Sequence, residues 1–204
     1  LDRMNTLTFV TYFTHDYLLY GKSLIDSIRN YHPQAKINVF TLDQKSFDVF
    51  NNLNLGPNVR IILDKNLLAL IKHYQENGRN KSESIFSVKP EIIHLSFPLA
   101  EKDSIIIYCD SDLYFFDEFP IGIMEGYDSF ISKHIFKNRY LDNQKYGIYN
   151  AGLVGFRNNE NGKELLNWWR IECQKSCKTI LTEYSFSDQK YLDYFESKNL
   201  NSLV

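Results

Sequence analysis

Apolar and polar positions change period in a regular rhythm along the first half of the chain. Leu7 to Tyr12 reads as a strand, and Leu18, Leu24, Ile25 and Ile28 at helical spacing predict a helix from Leu18 to Tyr31 that stops before Pro33. Ile37 to Leu42 alternates as a second strand, Lys45 to Leu53 is helical up to Gly56, and Val59 to Leu63 is a third strand. Leu67, Leu68, Leu70, Ile71 and Tyr74 mark a further helix face ending near Gly78. Pro90 suits the first turn of a helix reaching Phe97, where its missing N–H costs nothing. Ile105 to Cys109 is a short unbroken apolar run, the pattern of a central strand covered on both faces.

Strands alternating with helices predict an open, mostly parallel α/β sheet flanked by helices. After Asp117 the rhythm loosens: Tyr127 to Ser132 and Leu153 to Phe156 read as strands, and Lys163 to Gln174 as an amphipathic helix. With no repeat or Pro/Gly/Ser-rich linker, the whole of 1–204 reads as one domain. Its nucleotide-binding half is expected over about 1–117 and its substrate half over about 118–204.

Composition narrows the class. A chain of 204 residues with 44% hydrophobic and 15% aromatic content can bury a core without metal or disulfide staples and is no disordered segment. Lys+Arg number 23 against 25 Asp+Glu, so the field that nucleic-acid binding needs is lacking, and no nucleic-acid partner is expected. Three cysteines, Cys109, Cys173 and Cys177, have no zinc-type or CxxC spacing, which suits a reducing cytoplasm. No apolar run is long enough to span a bilayer, leaving only peripheral contact with a membrane open. Opening at Leu1, the chain reads as a fragment, which leaves room for an anchor or further domain outside it.

The chemistry concentrates at Tyr108-Cys109-Asp110-Ser111-Asp112. Carboxylates two apart on an extended segment point to the same side, here at the carboxyl end of a central strand, where open α/β sheets bind ligands. Like charges this close raise each other's pKa unless a hard cation such as Mg²⁺ or Mn²⁺ neutralises them, and a cation held by two carboxylates keeps positions open for diphosphate oxygens. The plain alternative is a solvated turn, the usual meaning of a bare Asp-x-Asp. The five histidines show no HExxH spacing, and neither GxxxxGK[ST] nor GxGxxG occurs.

Together with Tyr149-Asn150-Ala151-Gly152-Leu153-Val154-Gly155-Phe156 and Ser187-Asp188-Gln189-Lys190-Tyr191-Leu192, this block resembles the GT-A glycosyltransferases, above all family 8 and related nucleotide-diphospho-sugar transferases. The order of Phe9-Val10-Thr11, Phe40-Thr41-Leu42-Asp43 and Lys89-Pro90 is similar too. The resemblance implies transfer of a sugar, from a UDP-sugar by preference, to a hydroxyl of a glycan, lipid-linked or protein acceptor, with retention. Mn²⁺ or Mg²⁺ is the implied cofactor.

Carried over residue by residue, the resemblance places Thr11, Tyr12, Tyr17, Lys89, Asp110 and Ser111 around the nucleotide donor, with Tyr17 stacking on the base. Asp110 and Asp112 become the metal ligands. Asn150 falls where an amide faces donor and acceptor, and Asp188 and Gln189 beside the transferred sugar. Each has a plain alternative: Tyr17 as packing, Lys89 as a solvated charge or a helix-end contact, Asn150 as part of a turn, Asp188 as a helix N-cap. The family's third metal ligand, a His after the Asp-Gln block, has no counterpart after His134. Either a closing tail lies beyond Val204, or water or another side chain completes the sphere.

Two rivals stand beside the transferase. A strand ending in Asp-x-Asp also describes haloacid dehalogenase-like phosphohydrolases, where the first acid attacks phosphorus; there the motif sits on the first strand. The other is a nucleotide-sugar-binding domain that does not turn over. High Lys, Asn, Ile, Tyr and Phe usage suits an AT-rich bacterial genome, and polysaccharide biosynthesis is the associated expectation.

Overall fold

The computed structural model describes residues 6–198 and 202–203. Among the described residues seven strands form one sheet: β1 (Leu7–Phe13), β2 (Lys36–Thr41), β3 (Val59–Ile62), β4 (Ile105–Cys109), β5 (Ser129–Lys133), β6 (Tyr149–Arg157) and β7 (Ser202–Leu203). Their spatial order is β3-β2-β1-β4-β6-β5-β7. The first four pair in parallel, β6 runs against both β4 and β5, and β7 pairs in parallel with β5. The expected single α/β domain is therefore present, with one reversed strand making the sheet mixed.

Six helices cover it: α1 (Leu18–Tyr31), α2 (Gln44–Asn51), α3 (Lys65–Glu76), α4 (Lys81–Ser87), α5 (Lys89–Ser96) and α6 (Glu160–Lys175). Alternation along the strands sorts the side chains into two cores. Phe9, Ile37, Val39, Ile105 and Ile107 pack with Leu24, Ile25 and Ile28 of α1 and Phe50 of α2. Val10, Phe40, Ile106 and Tyr108 face the other way, against Leu67 of α3, Ile92 and Ile93 of α5, and Leu165, Leu166 and Trp169 of α6. Every residue of β4 is buried, as its unbroken apolar run requires.

Two elements depart from the pattern reading. β6 begins at Tyr149 rather than Leu153, because β5 bulges between Ile131 and Ser132 and so continues the ladder to Asn150 and Tyr149. Helix α4 has no counterpart in the apolar rhythm: it is short, and a capping box fixes its start, with Asn80 accepting from the Glu83 N–H and Glu83 accepting from the Asn80 N–H. All three cysteines are buried and free. Among the described residues no helix is long and apolar enough to cross a membrane.

Candidate active site

From β1 the chain moves outward to β2 and β3, then returns to the opposite side of β1 to form β4. That reversal opens a crevice between the carboxyl ends of β1 and β4, the usual ligand position in open α/β sheets. A cleft of about 240 Å³ lies there. Tyr12, Phe13 and Thr14 line it from the end of β1, Tyr17 from the following turn, and Tyr108, Asp110, Ser111 and Asp112 from the end of β4. Ser82, Ile85 and Phe86 of α4, with Leu42 just after β2, form the remaining wall. Tyr17 is 47% exposed, leaving a ring face available at the rim.

Asp110 and Asp112 thus share one cleft. Asp112 is exposed and has no hydrogen-bond or ion-pair partner among the described residues. Asp110 is held from several sides: its Oδ1 accepts from the Tyr108 hydroxyl at 2.5 Å and lies 3.3 Å from Lys89 Nζ. Its backbone N–H donates to the Gly152 carbonyl at 2.8 Å. A Cβ at Gly152 would come within 2.9 Å of both Asp110 Oδ2 and Asn150 Oδ1, so only glycine lets β6 approach the carboxylate this closely. Asn150 fixes the same strand, its Oδ1 accepting from the Gly152 N–H at 2.7 Å.

Behind the cleft, Lys89 at the start of α5 is the buried cation. Its Nζ lies 2.8 Å from Asp188 Oδ2 and donates to the Ala151 carbonyl at 3.3 Å. Burial by itself would push the Lys89 ammonium down, but the charges of Asp110 and Asp188 pull it well above the ordinary lysine range. Burial pushes the Tyr12 and Tyr108 phenols up, so both remain hydroxyls. Asp188 accepts from the Ser187 hydroxyl at 2.9 Å, and its carbonyl accepts from Trp169 Nε1 at 2.9 Å. Asp188 is not the helix cap that its position suggests: the following 3₁₀ helix, Lys190–Tyr194, has Gln189 at its N-cap with no side-chain bond, and the Asp188 carboxylate is taken by Lys89 instead.

Gln189 stands apart from the cleft wall. Its Oε1 meets His134 Nε2 at 3.2 Å, and its side chain fills the space a Cβ would need at Gly147, where φ is 129°. Thr11 is buried with its hydroxyl unpartnered and does not line the cleft; on β1 it alternates with Val10 and Tyr12 and so shares the face of Phe9 and Phe13. The sequence reading missed the α4 wall and the Tyr108 hydroxyl. The pattern Asn80-x-x-Glu83 was the available signal for the first; nothing in the sequence signals the second.

The donor set suits a hard divalent cation in part. Two carboxylates face one cleft and Asp112 is unpartnered, but no group of three or more His, Cys, Asp or Glu side chains gathers among the described residues. Such an ion would draw its remaining ligands from diphosphate oxygens and water.

A parallel β3-β2-β1-β4 half with a reversed β6 beyond it is the arrangement of the GT-A fold. Comparison with solved structures bears this out. The glycosyltransferase GlyE of Streptococcus pneumoniae TIGR4 aligns with 98% of this chain and 45% of its own at a TM-score of 0.59 and 15% identity. The galactosyltransferase LgtC, solved with donor and acceptor sugar analogs, aligns over 91% of this chain and 69% of its own at 0.55 and 19%. Core-mannan synthase A of Aspergillus fumigatus, in a Mn/GDP form, aligns over 95% and 69% at 0.57 and 8%. In sequence, the uncharacterized protein YfnF of Bacillus subtilis (strain 168) is 26% identical over 93% of this chain; the chain spans 65% of that relative's length. No protein-family model matches.

Proposed function

We propose that this chain is the donor-binding and catalytic domain of a metal-dependent glycosyltransferase that moves a sugar from a nucleotide diphosphate, UDP by preference, to a hydroxyl acceptor with retention. The carrying observation is that Asp110 and Asp112 line one cleft at the β1/β4 crossover, together with Tyr17. In this reading a nucleotide base would lie against the exposed Tyr17 ring and the phosphates toward Asp110 and Asp112. Asp110 and Asp112 would hold Mn²⁺ or Mg²⁺, which when bound stabilises the negative charge on a departing diphosphate. The Mn/GDP form of core-mannan synthase A supports a pairing of nucleotide and divalent ion, and LgtC with its donor and acceptor sugar analogs supports a sugar-transfer site.

The chain's own residues divide the remaining work. Lys89 holds Asp110 and Asp188 in one arrangement, and Tyr108 fixes Asp110 through its hydroxyl. Asn150, Asp188 and Gln189 are assigned to the transferred sugar, and a bacterial surface glycan is the favoured acceptor class. The phosphohydrolase rival fits less well, because the motif follows the fourth strand rather than the first.

Calorimetric titration with UDP- and GDP-sugars, with and without Mn²⁺, tests the reading, alongside hydrolysis assays on the donor and on a generic phosphomonoester. Metal-dependent donor binding with slow donor hydrolysis is expected. In Asp112→Ala the metal-dependent part of binding should vanish while the fold stays intact. Affinity unchanged in that variant would remove the metal role, and phosphomonoester cleavage would overturn the transferase reading.

A further inference from the structure

Between β5 and β6 the chain makes a long excursion, residues 134–148, that includes a 3₁₀ helix over Asn138–Tyr146 with no buried residue. Both roots are tied down. The His134 N–H donates to the Ile148 carbonyl at 2.9 Å, and the Ile148 N–H donates to Asp193 Oδ1 at 2.9 Å. Because β5 runs parallel to β4, the excursion leaves the sheet at the same end as the cleft.

Its composition is unlike the rest of the molecule. From Lys133 to Tyr146 stand four cations, Lys133, Lys137, Arg139 and Lys145, against the single acid Asp142, in a chain whose net charge is -2. Ile135 is 97% exposed, and Tyr140 and Leu141 are each 46% exposed. The Arg139 guanidinium lies 4.6 Å above the Tyr140 ring and Lys145 Nζ lies 5.2 Å from the Tyr146 ring, so cationic heads and apolar bodies share one surface.

We infer that this excursion docks the domain on an anionic phospholipid bilayer, with Ile135, Tyr140 and Leu141 entering the interface and Lys137, Arg139 and Lys145 meeting the headgroups. Charge complementarity selects an anionic surface. The aliphatic side chains select a bilayer over a soluble polyanion, which would leave Ile135 and Leu141 in water. Docked this way, the cleft's end of the sheet lies toward the membrane, which suits a lipid-linked acceptor.

Vesicle flotation of the full chain without nucleotide tests this, using phosphatidylcholine alone and phosphatidylcholine mixed with phosphatidylglycerol. Binding is expected only to the anionic vesicles and should weaken in high salt. Each cation near such a surface is worth about fivefold, so Lys137→Gln with Arg139→Gln should lose about thirtyfold. Ile135→Ser with Leu141→Ser should lower binding while keeping its salt dependence. Every substituted side chain is exposed, and circular dichroism identifies any variant that fails to fold. Binding to neither vesicle, equal binding to both, or variants that bind like the parent would overturn the proposal. So would capture of dextran sulfate in place of vesicles, or self-association through these residues seen by light scattering. Because no nucleotide is present, failure here is separable from failure of the transferase reading.

Discussion

Lys89 Nζ and Asp188 Oδ2 lie 2.8 Å apart with both side chains about 5% exposed, joining the first residue of α5 to the segment that follows α6. An ion pair this deep gains from its geometry only because each partner compensates the other; removing one strands a buried charge. Asp110, 3.3 Å from the same ammonium, makes the pair a three-charge cluster at the back of the cleft.

Lys89→Met should therefore destabilise the fold by about 3–5 kcal/mol in urea denaturation, since Asp188 is left without its counter-charge. Adding Asp188→Leu should recover most of that loss, and a double variant no more stable than the single one would show that the ion pair is not the cause. The pH dependence follows from the raised Lys89 pKa. Its contribution is fully present below the ordinary lysine value of about 10.4 and is lost only as pH rises beyond that, through the higher folded value.

Gly152→Ala should damage the site as well as the fold. The new methyl would sit 2.9 Å from Asp110 Oδ2 and Asn150 Oδ1, pressing on the carboxylate that Tyr108 and Lys89 position. Overpacking of this kind costs about 1–3 kcal/mol, but metal-dependent nucleotide binding should fall at least tenfold. Paired denaturation and calorimetry distinguish the two effects, and unaltered nucleotide affinity would contradict the assignment of Asp110.

At the cleft rim, Tyr17→Ala should weaken nucleotide binding by about fivefold, the equivalent of an aromatic contact worth about 1 kcal/mol. Stability should barely change, because the ring is half exposed and touches only Tyr20 among the aromatic rings of the described residues. Titration with UDP and with inorganic pyrophosphate checks the position: the loss should appear with UDP alone.

Glu83 links the cleft's α4 wall to the loop after α6. Its Oε1 accepts from the Thr179 N–H at 2.8 Å and the Thr179 hydroxyl at 3.0 Å, and its Oε2 accepts from the Asn80 N–H at 3.0 Å. The backbone N–H groups of Thr179 and Asn80 hold the carboxyl below the ordinary range. Its stabilisation is present above about pH 4.3 and is lost as pH falls through the folded value. Glu83→Gln should cost about 1.5–3 kcal/mol at neutral pH and flatten the acid limb of a stability profile. An acid limb identical to the parent's would contradict this role.

The sequence carried most of the scaffold. Helix α1 and strand β4 have the residue limits that apolar spacing predicted, because one long amphipathic stripe and one uninterrupted apolar run each admit a single reading. Asp110 and Asp112 were legible as a pair at the end of β4, but not through extended spacing: β4 ends at Cys109, Ser111 and Asp112 form a turn closed by the Leu113 N–H on the Asp110 carbonyl at 3.1 Å, and that turn delivers both to the cleft. What failed was short or bounded by partners. Helix α4 has too few residues to show a period, and the first turn of β6 is strand only because a bulge in β5 supplies its partner.

Tertiary structure alone decided which charges meet. Lys89, Asp110 and Asp188 lie far apart along the chain, and nothing local tells a solvated lysine from one buried between two carboxylates. The crossover from β3 to β4 and the close approach of Gly152 set that geometry, and both are properties of strand order. Periodicity records what each segment buries, so it wrote the elements into the sequence. The electrostatics of the site depend on distances between segments, which only the packed sheet and its helices fix.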